Sequence, residues 1–150
     1  MKRYCIFLLI FSLFFCLAYG SEEQIDVYQF KGTHFLASYS GCDESALTNI
    51  SELPRAMLKA VEDCGATLLE SAEYVFPPDG LTMVILLSES HASIHTYPEH
   101  HACFVDLFTC GNKCSFEKFD ACLREYLKPK NVCAKVLSRC ENIEELPPLR

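Results

Sequence analysis

Apolar and polar residues alternate along the chain in a pattern that predicts six strands and two helices. The predicted strands cover residues 33–42, 67–76, 81–88, 92–96, 102–108 and 132–138. The third of these, "LTMVILLS", is almost uninterrupted in its apolar character, which is typical of a buried strand. Apolar residues at helical spacing predict helices over residues 51–66 and 116–127, with Ser51 and Ser115 as N-caps.

The order of these elements predicts the fold class. Four strands follow one another between the two helices, and the turn "PPDG" joins two of them. Adjacent strands with short turns favour an antiparallel sheet that carries both helices on one face. We therefore expect an α+β fold, a two-layer α/β sandwich, with the second face of the sheet available for a site or a partner.

The first twenty residues differ from the rest of the chain. Lys2 and Arg3 precede an apolar run from Cys5 to Tyr19, which ends in the short sequence "AYG". This pattern predicts a secretory signal cleaved after Gly20, or an uncleaved membrane anchor. We expect export to the periplasm or attachment to a membrane; a non-functional segment would leave the protein in the cytoplasm. Residues 21–150 fit a single domain.

Charge and cysteine content narrow the function classes. The net charge is −7, which argues against a nucleic-acid partner because such a partner requires a basic surface. Removal of residues 1–20 would also remove the positive charges of Lys2 and Arg3, so the net charge of the remaining chain would be −9. The cysteines outside this segment are Cys42, Cys64, Cys103, Cys110, Cys114, Cys122, Cys133 and Cys140. In an exported protein they suggest disulfides, but their pairing cannot be deduced from sequence.

The chemical signal lies at Glu89-Ser90-His91, where polar residues end an apolar run. A serine at the end of a buried strand can attack an adjacent carbonyl if the backbone is strained and a base is near. His91 and His95 are candidate bases. The alternative interpretation is a polar turn between two strands, and the G-x-S-x-G pattern of hydrolases is absent from the sequence.

A metal site is the other chemical alternative. His91, His95, His100, His101 and Cys103 supply nitrogen and sulfur atoms of the kind that bind zinc. Their spacing matches no strong zinc motif, so no metal is predicted.

The same region resembles a known family. "SESHASIHTYPE" followed by "VDLFTCG" is similar to the core of the short, bacterial-type S-adenosylmethionine decarboxylase proenzymes, and the resemblance extends from about Lys31 to Cys140. It implies a two-layer α/β sandwich and a homodimer of cleaved protomers. It also implies conversion of S-adenosylmethionine to its decarboxylated form and carbon dioxide, for the biosynthesis of spermidine and other polyamines.

The resemblance implies that the chain makes its own cofactor, a covalent pyruvoyl group. Ser90 Oγ would attack the carbonyl of Glu89 to give an ester, and β-elimination would leave a dehydroalanine that hydrolyses to pyruvoyl with loss of ammonia. The β chain would end at Glu89 and the α chain would begin at position 90. His95 matches the family histidine that assists processing, and Cys110 matches the proton donor of the decarboxylation.

The residue types suit this chemistry. A pyruvoyl ketone forms a Schiff base with an amine and accepts the electrons released with carbon dioxide, and a nearby thiol can reprotonate the carbanion. Phe76 matches an aromatic residue that stacks on adenine, and Glu99 matches a carboxylate that binds the ribose hydroxyls. Thr82 stands where the family often has a serine near the processing site.

Two departures from the family pattern concern the substrate. Met83 replaces a usual glycine and Tyr74 lies near a usual histidine, and both are expected to flank the substrate pocket. Together with the predicted export, they leave two alternatives open: a pyruvoyl-dependent decarboxylase of ornithine or arginine, and a non-catalytic, exported, cysteine-rich module.

Overall fold

The computed structural model describes residues 30–110, 113–140 and 143–145. The predicted signal or anchor segment, residues 1–20, lies outside the described residues. In chain order the elements are β1 (Gly32–Ser40), α1 (Glu44–Thr48), α2 (Glu52–Cys64), β2 (Leu68–Phe76), β3 (Gly80–Leu87), β4 (Ser90–Tyr97), a 3₁₀ helix (Pro98–His100), β5 (Ala102–Cys110), α3 (Phe116–Leu127), β6 (Asn131–Arg139) and β7 (Ile143–Glu145).

The described strands form one antiparallel sheet in the order β2-β3-β4-β5-β1-β6-β7. The first strand therefore lies between β5 and β6, while β2 to β5 are joined by successive hairpins. The α+β class, the antiparallel sheet and the six predicted strands are confirmed. A seventh strand, β7, occupies part of the tail, which the sequence pattern had left without structure.

A single apolar core lies between the sheet and the helices. Strand alternation directs every second side chain of β1 into it, including the fully buried Phe35 and Tyr39. The apolar stripes of α2 and α3 supply the opposite side, through residues such as Met57 and Leu123. Both long helices therefore cover the same face, as predicted, and the other face, called here the open face, carries no helix within the described part of the chain.

The helices differ from the predictions in two respects, the presence of α1 and the N-cap of α2, whereas the predicted N-cap of α3 is confirmed. Helix α1 was not predicted, because one turn that begins at Asp43 cannot be distinguished from a loop by periodicity. The N-cap prediction for Ser115 is confirmed, since its hydroxyl accepts a hydrogen bond from the Lys118 amide. The hydroxyl of Ser51 makes no such bond; the side chain of Asn49 accepts from the Glu52 amide instead.

Among the described helices, none is both long and apolar enough to cross a membrane.

Candidate active site

The β3–β4 hairpin presents the proposed nucleophile at its turn. Residues 88–89 form the turn, and Ser90 is the first residue of β4. Ser90 has a φ of 155°, a region that residues with a Cβ atom rarely adopt. Such a conformation costs free energy and persists only where the surrounding structure imposes it. The strain that an attack on the preceding carbonyl requires is therefore present at this serine.

Glu89, which precedes the serine, is held at both of its polar groups. Its backbone carbonyl accepts a hydrogen bond from the Cys110 amide at 2.9 Å. Its carboxylate accepts from the backbone amide of Thr67 at 2.9 Å and from the Thr67 hydroxyl at 3.2 Å. Partial burial opposes ionisation of this carboxyl, but the hydrogen bonds from Thr67 and Ser88 outweigh it, and the pKa of Glu89 is lowered.

The hydrogen bond from the Cys110 amide is chemically important because it is made to the Glu89 carbonyl, which Ser90 would attack. A backbone N–H directed at a carbonyl oxygen polarises the carbonyl and stabilises the negative charge that develops during attack. Cys110 is the last residue of β5, and its side chain is partly exposed. Glu89, Ser90 and Cys110 thus lie together, and we call them the cleavage cluster.

The remaining predicted site residues lie on β2, β3 and β4 and in the 3₁₀ helix that follows β4. Thr82 and His95 are paired across β3 and β4, and the Thr82 hydroxyl is hydrogen-bonded to Nδ1 of His95 at 2.9 Å. Phe76 is exposed at the end of β2, and Glu99 is exposed in the 3₁₀ helix that follows β4. We call Phe76, Thr82, His95 and Glu99 the distal cluster.

The two clusters are separated by the length of a strand. Ser90 begins β4 and His95 lies five residues further along it. At a rise of about 3.3 Å per residue, the two backbones are about 16 Å apart. The structure therefore brings Cys110 to Ser90 but does not bring His95 there within one chain.

A third group on the open face was not predicted from the sequence. His34, His91 and Asp106 come from three neighbouring strands, and one potential ligand atom of each lies within 4.8 Å of the others. Nε2 of each histidine is close to Asp106 Oδ1, at 3.8 Å for His34 and 3.9 Å for His91. Asp106 also accepts a hydrogen bond from the Ser93 hydroxyl at 2.6 Å.

This group differs from the residues considered for a metal in the sequence, which combined His91 with His95, His100, His101 and Cys103. His95 is bonded to Thr82, and Cys103 is buried on the helix side of the sheet. His34 and Asp106 lie far from His91 in sequence, so only the strand register brings them together. The alternation of side chains along β1 and β5 could have predicted that His34 and Asp106 lie on the open face.

His34 also makes a testable contribution to stability. Its Nε2 is buried without a hydrogen-bond partner, and burial lowers the pKa of the imidazole below its ordinary value of 6.5, against the opposing effect of Asp106. The unfolded chain therefore binds a proton more readily than the folded chain does. Folding stability from this group is present above pH 6.5 and is lost as the pH falls through the lower folded pKa.

We expect the free energy of unfolding to decrease on acidification through pH 6.5, and a His34→Asn variant to show a shallower decrease. Denaturant unfolding at a series of pH values measures the difference in slope. The matched control is His100→Asn, at an exposed position. An equal slope in wild type and His34→Asn would contradict the assignment.

The two departures that were expected to flank the substrate pocket differ in position. Met83 is only 1% exposed and packs in the core under the helices. Its predicted place beside the pocket is therefore wrong, because alternation in β3 directs Met83 to the face opposite Thr82. Tyr74 is exposed and contacts Phe76 edge-to-face, with ring centroids 4.8 Å apart, so it does border the distal cluster.

Comparison with known proteins identifies the family. Residues 33–140 match the family model described as S-adenosylmethionine decarboxylase. The chain belongs to the S-adenosylmethionine decarboxylase family. The match includes all residues of the cleavage and distal clusters, and the resemblance seen in the sequence is confirmed.

Individual members of the decarboxylase family are similar over most of their length. An S-adenosylmethionine decarboxylase proenzyme of Thermosipho africanus is 40% identical over 101 residues, which cover 67% of this chain and 78% of that protein. The proenzyme of Acetivibrio thermocellus is 39% identical over 110 residues, 72% of this chain and 87% of that protein. The crystal structure of the adenosylmethionine decarboxylase from Aquifex aeolicus superposes with a TM-score of 0.70 at 32% identity and covers 80% of this chain and 99% of that one. These similarities do not favour the alternatives of another amino-acid substrate or a non-catalytic module.

Proposed function

We propose that the protein is a self-processing, pyruvoyl-dependent decarboxylase that converts S-adenosylmethionine to its decarboxylated form and carbon dioxide, for polyamine biosynthesis. The observation that carries the proposal is the cleavage cluster. A strained serine follows a carbonyl that is already hydrogen-bonded to a backbone amide. The relatives named as decarboxylase proenzymes support the same reaction.

Self-cleavage follows from this arrangement. Ser90 Oγ adds to the Glu89 carbonyl, and the Cys110 amide stabilises the developing oxyanion. Expulsion of the Ser90 nitrogen then gives an ester in place of the amide and relieves the backbone conformation at position 90. β-Elimination releases the Glu89 carboxylate and leaves a dehydroalanine, which takes up water and loses ammonia to become the pyruvoyl group.

The residues of the cleavage cluster fit the pyruvoyl group that position 90 would carry. Once formed, this group supplies a carbonyl that condenses with the substrate amine and withdraws the electrons released as carbon dioxide leaves. Cys110 lies beside position 90 with a partly exposed side chain, and we propose that its thiol returns a proton to the substrate carbon. The same residue thus serves processing through its backbone and decarboxylation through its side chain.

We propose that the complete site is formed by two chains. Because His95 lies about 16 Å from Ser90 along β4, we propose that two copies pair so that the distal cluster of one adjoins the cleavage cluster of the other. The open face carries exposed apolar residues that suit such pairing, among them Leu86 and Phe104, which are 52% and 53% exposed. Phe76 and Glu99 would then bind the adenine and the ribose of the substrate, while Thr82 orients His95.

Complementation between two inactive variants tests this composite site. Ser90→Ala and His95→Ala chains, carrying different affinity tags and produced together, form heterodimers in which one of the two sites retains both residues. Cleavage of the His95→Ala chain and decarboxylation at about half of the wild-type rate are expected for the purified heterodimer. Gel analysis of cleavage and release of labelled carbon dioxide measure the two effects.

The matched control combines two variants of the same cluster, Ser90→Ala and Cys110→Ala. No site in that heterodimer retains both residues, so decarboxylation should stay at the level of the separate variants. Heterodimers of Ser90→Ala with His95→Ala that form but remain inactive would contradict the composite site. Full activity of His95→Ala alone would contradict the role of His95.

We further propose that residues 1–20 direct export of the enzyme and are removed after Gly20. The pattern of Lys2 and Arg3 before an apolar run, ending in small residues, supports this proposal. Mass spectrometry of the β fragment produced in a bacterial host with an intact secretion system should give a chain beginning at Ser21. A fragment that begins at Met1 would contradict cleavage.

A further inference from the structure

The backbone brings two pairs of cysteines close together inside the fold. In the first pair, Cys42 follows the end of β1 and its backbone amide donates to the His101 carbonyl at 2.9 Å. Cys103 lies two residues further along, opposite Tyr39 in the sheet. Both residues are buried, with only 5% and 1% of their surfaces exposed, and the interaction between the two thiols lowers the pKa of Cys42 and raises that of Cys103.

The second pair joins the end of α2 to the segment after β5. The Ser115 amide donates to the Cys64 carbonyl at 2.9 Å, and the Lys113 carbonyl oxygen lies 3.1 Å from the position that a Cβ atom on Gly65 would occupy. Cys114 therefore lies between two residues, Lys113 and Ser115, whose backbones adjoin Gly65 and Cys64. Its thiol interacts with that of Cys64, which is 2% exposed.

The positions of the four cysteines relative to the cleavage point are informative. Cys42 and Cys64 precede Glu89, whereas Cys103 and Cys114 follow Ser90. We propose that both pairs are oxidised to disulfides, Cys42–Cys103 and Cys64–Cys114, which join the β and α fragments covalently after self-cleavage. The tether between fragments rests on the proposed function, but the two disulfides do not require cleavage.

The second disulfide also has a consequence for the active site. Cys110 and Cys114 lie near each other in sequence, and a bond between them would consume the proposed proton donor. Pairing of Cys114 with Cys64 removes this competitor. Cys110 would therefore remain a free thiol even in an oxidising compartment. Export and decarboxylation would then be compatible.

Oxidation by a small disulfide, such as oxidised glutathione, accounts for all atoms and electrons. One protein thiolate attacks the glutathione disulfide and releases one glutathione thiolate, and the second protein thiolate displaces the other. Two protein thiols are oxidised, one glutathione disulfide is reduced to two thiols, and no other reactant is needed. In the first pair Cys42 is the thiol that ionises first, since its interaction with Cys103 lowers the pKa of Cys42.

Non-reducing electrophoresis of the full-length protein tests the tether. The protein is refolded with oxidised and reduced glutathione, allowed to cleave and treated with N-ethylmaleimide. We expect one band without reductant and two bands with it. Peptide mapping should give the linked pairs Cys42–Cys103 and Cys64–Cys114, with Cys110 carrying the maleimide.

Cysteine-to-serine variants test which cysteines link the two fragments. Replacement of both Cys42 and Cys64 by serine should release the fragments without reductant, whereas Cys122→Ser with Cys133→Ser should leave them linked. Separation of wild-type fragments without reductant, or a map that joins Cys114 to Cys110, would overturn the proposal. Mapping the Ser90→Ala chain tests the same pairs without cleavage, so failure of the disulfides is distinguishable from failure of self-processing.

Discussion

Replacement of Ser90 by alanine is expected to leave the chain as one polypeptide of full length, with no decarboxylase activity. Alanine lacks the oxygen that attacks the Glu89 carbonyl, so neither the ester nor the pyruvoyl group can form. The fold should persist, because alanine carries a Cβ atom as serine does and is similar in size, and the strain at position 90 comes from its surroundings. Intact mass and thermal unfolding measure the two expectations.

The control for this variant is Ser88→Ala. Ser88 lies in the same turn, on the other side of Glu89, and its hydroxyl does not follow the carbonyl that would be attacked. This variant should cleave as the wild type does, into fragments that meet between Glu89 and position 90. A Ser90→Ala chain that still splits at this bond, or a stable uncleaved wild-type chain, would contradict self-processing.

The fold was predictable because its elements are strongly periodic. Alternation in β1 and the helical spacing in α2 and α3 each require one buried face, and these faces combine into a single core. The two short elements were not predicted because periodicity was the signal used. Helix α1 and strand β7 contain too few residues to show a period.

The site was only partly predictable. The sequence indicated Ser90 and Cys110 through their similarity to the family, but it could not show that the Cys110 amide donates to Glu89, because that bond depends on the register between β4 and β5. The separation of His95 from Ser90 follows from the extended conformation of β4, which the motif alone does not specify. The expectation for Met83 was wrong because a match to a family position does not show which face of the strand a side chain occupies.

Replacement of Cys110 by alanine should separate processing from decarboxylation. The variant keeps the backbone amide that donates to the Glu89 carbonyl, so self-cleavage should proceed. It lacks the thiol that returns a proton to the substrate carbon. Loss of a positioned acid typically lowers a rate by about 10²–10⁴-fold, and we expect the decarboxylation kcat to fall by this factor while cleavage remains complete.

The matched control for Cys110→Ala is Cys133→Ala. Cys133 is an exposed cysteine of β6, remote in sequence from the cleavage cluster, and its replacement should change neither reaction. A Cys110→Ala chain that fails to cleave would mean that the side chain, and not the amide, acts in processing. Undiminished decarboxylation would mean that another group is the proton donor. The combination of complete cleavage with slow decarboxylation is expected only if backbone and side chain of Cys110 act in separate steps.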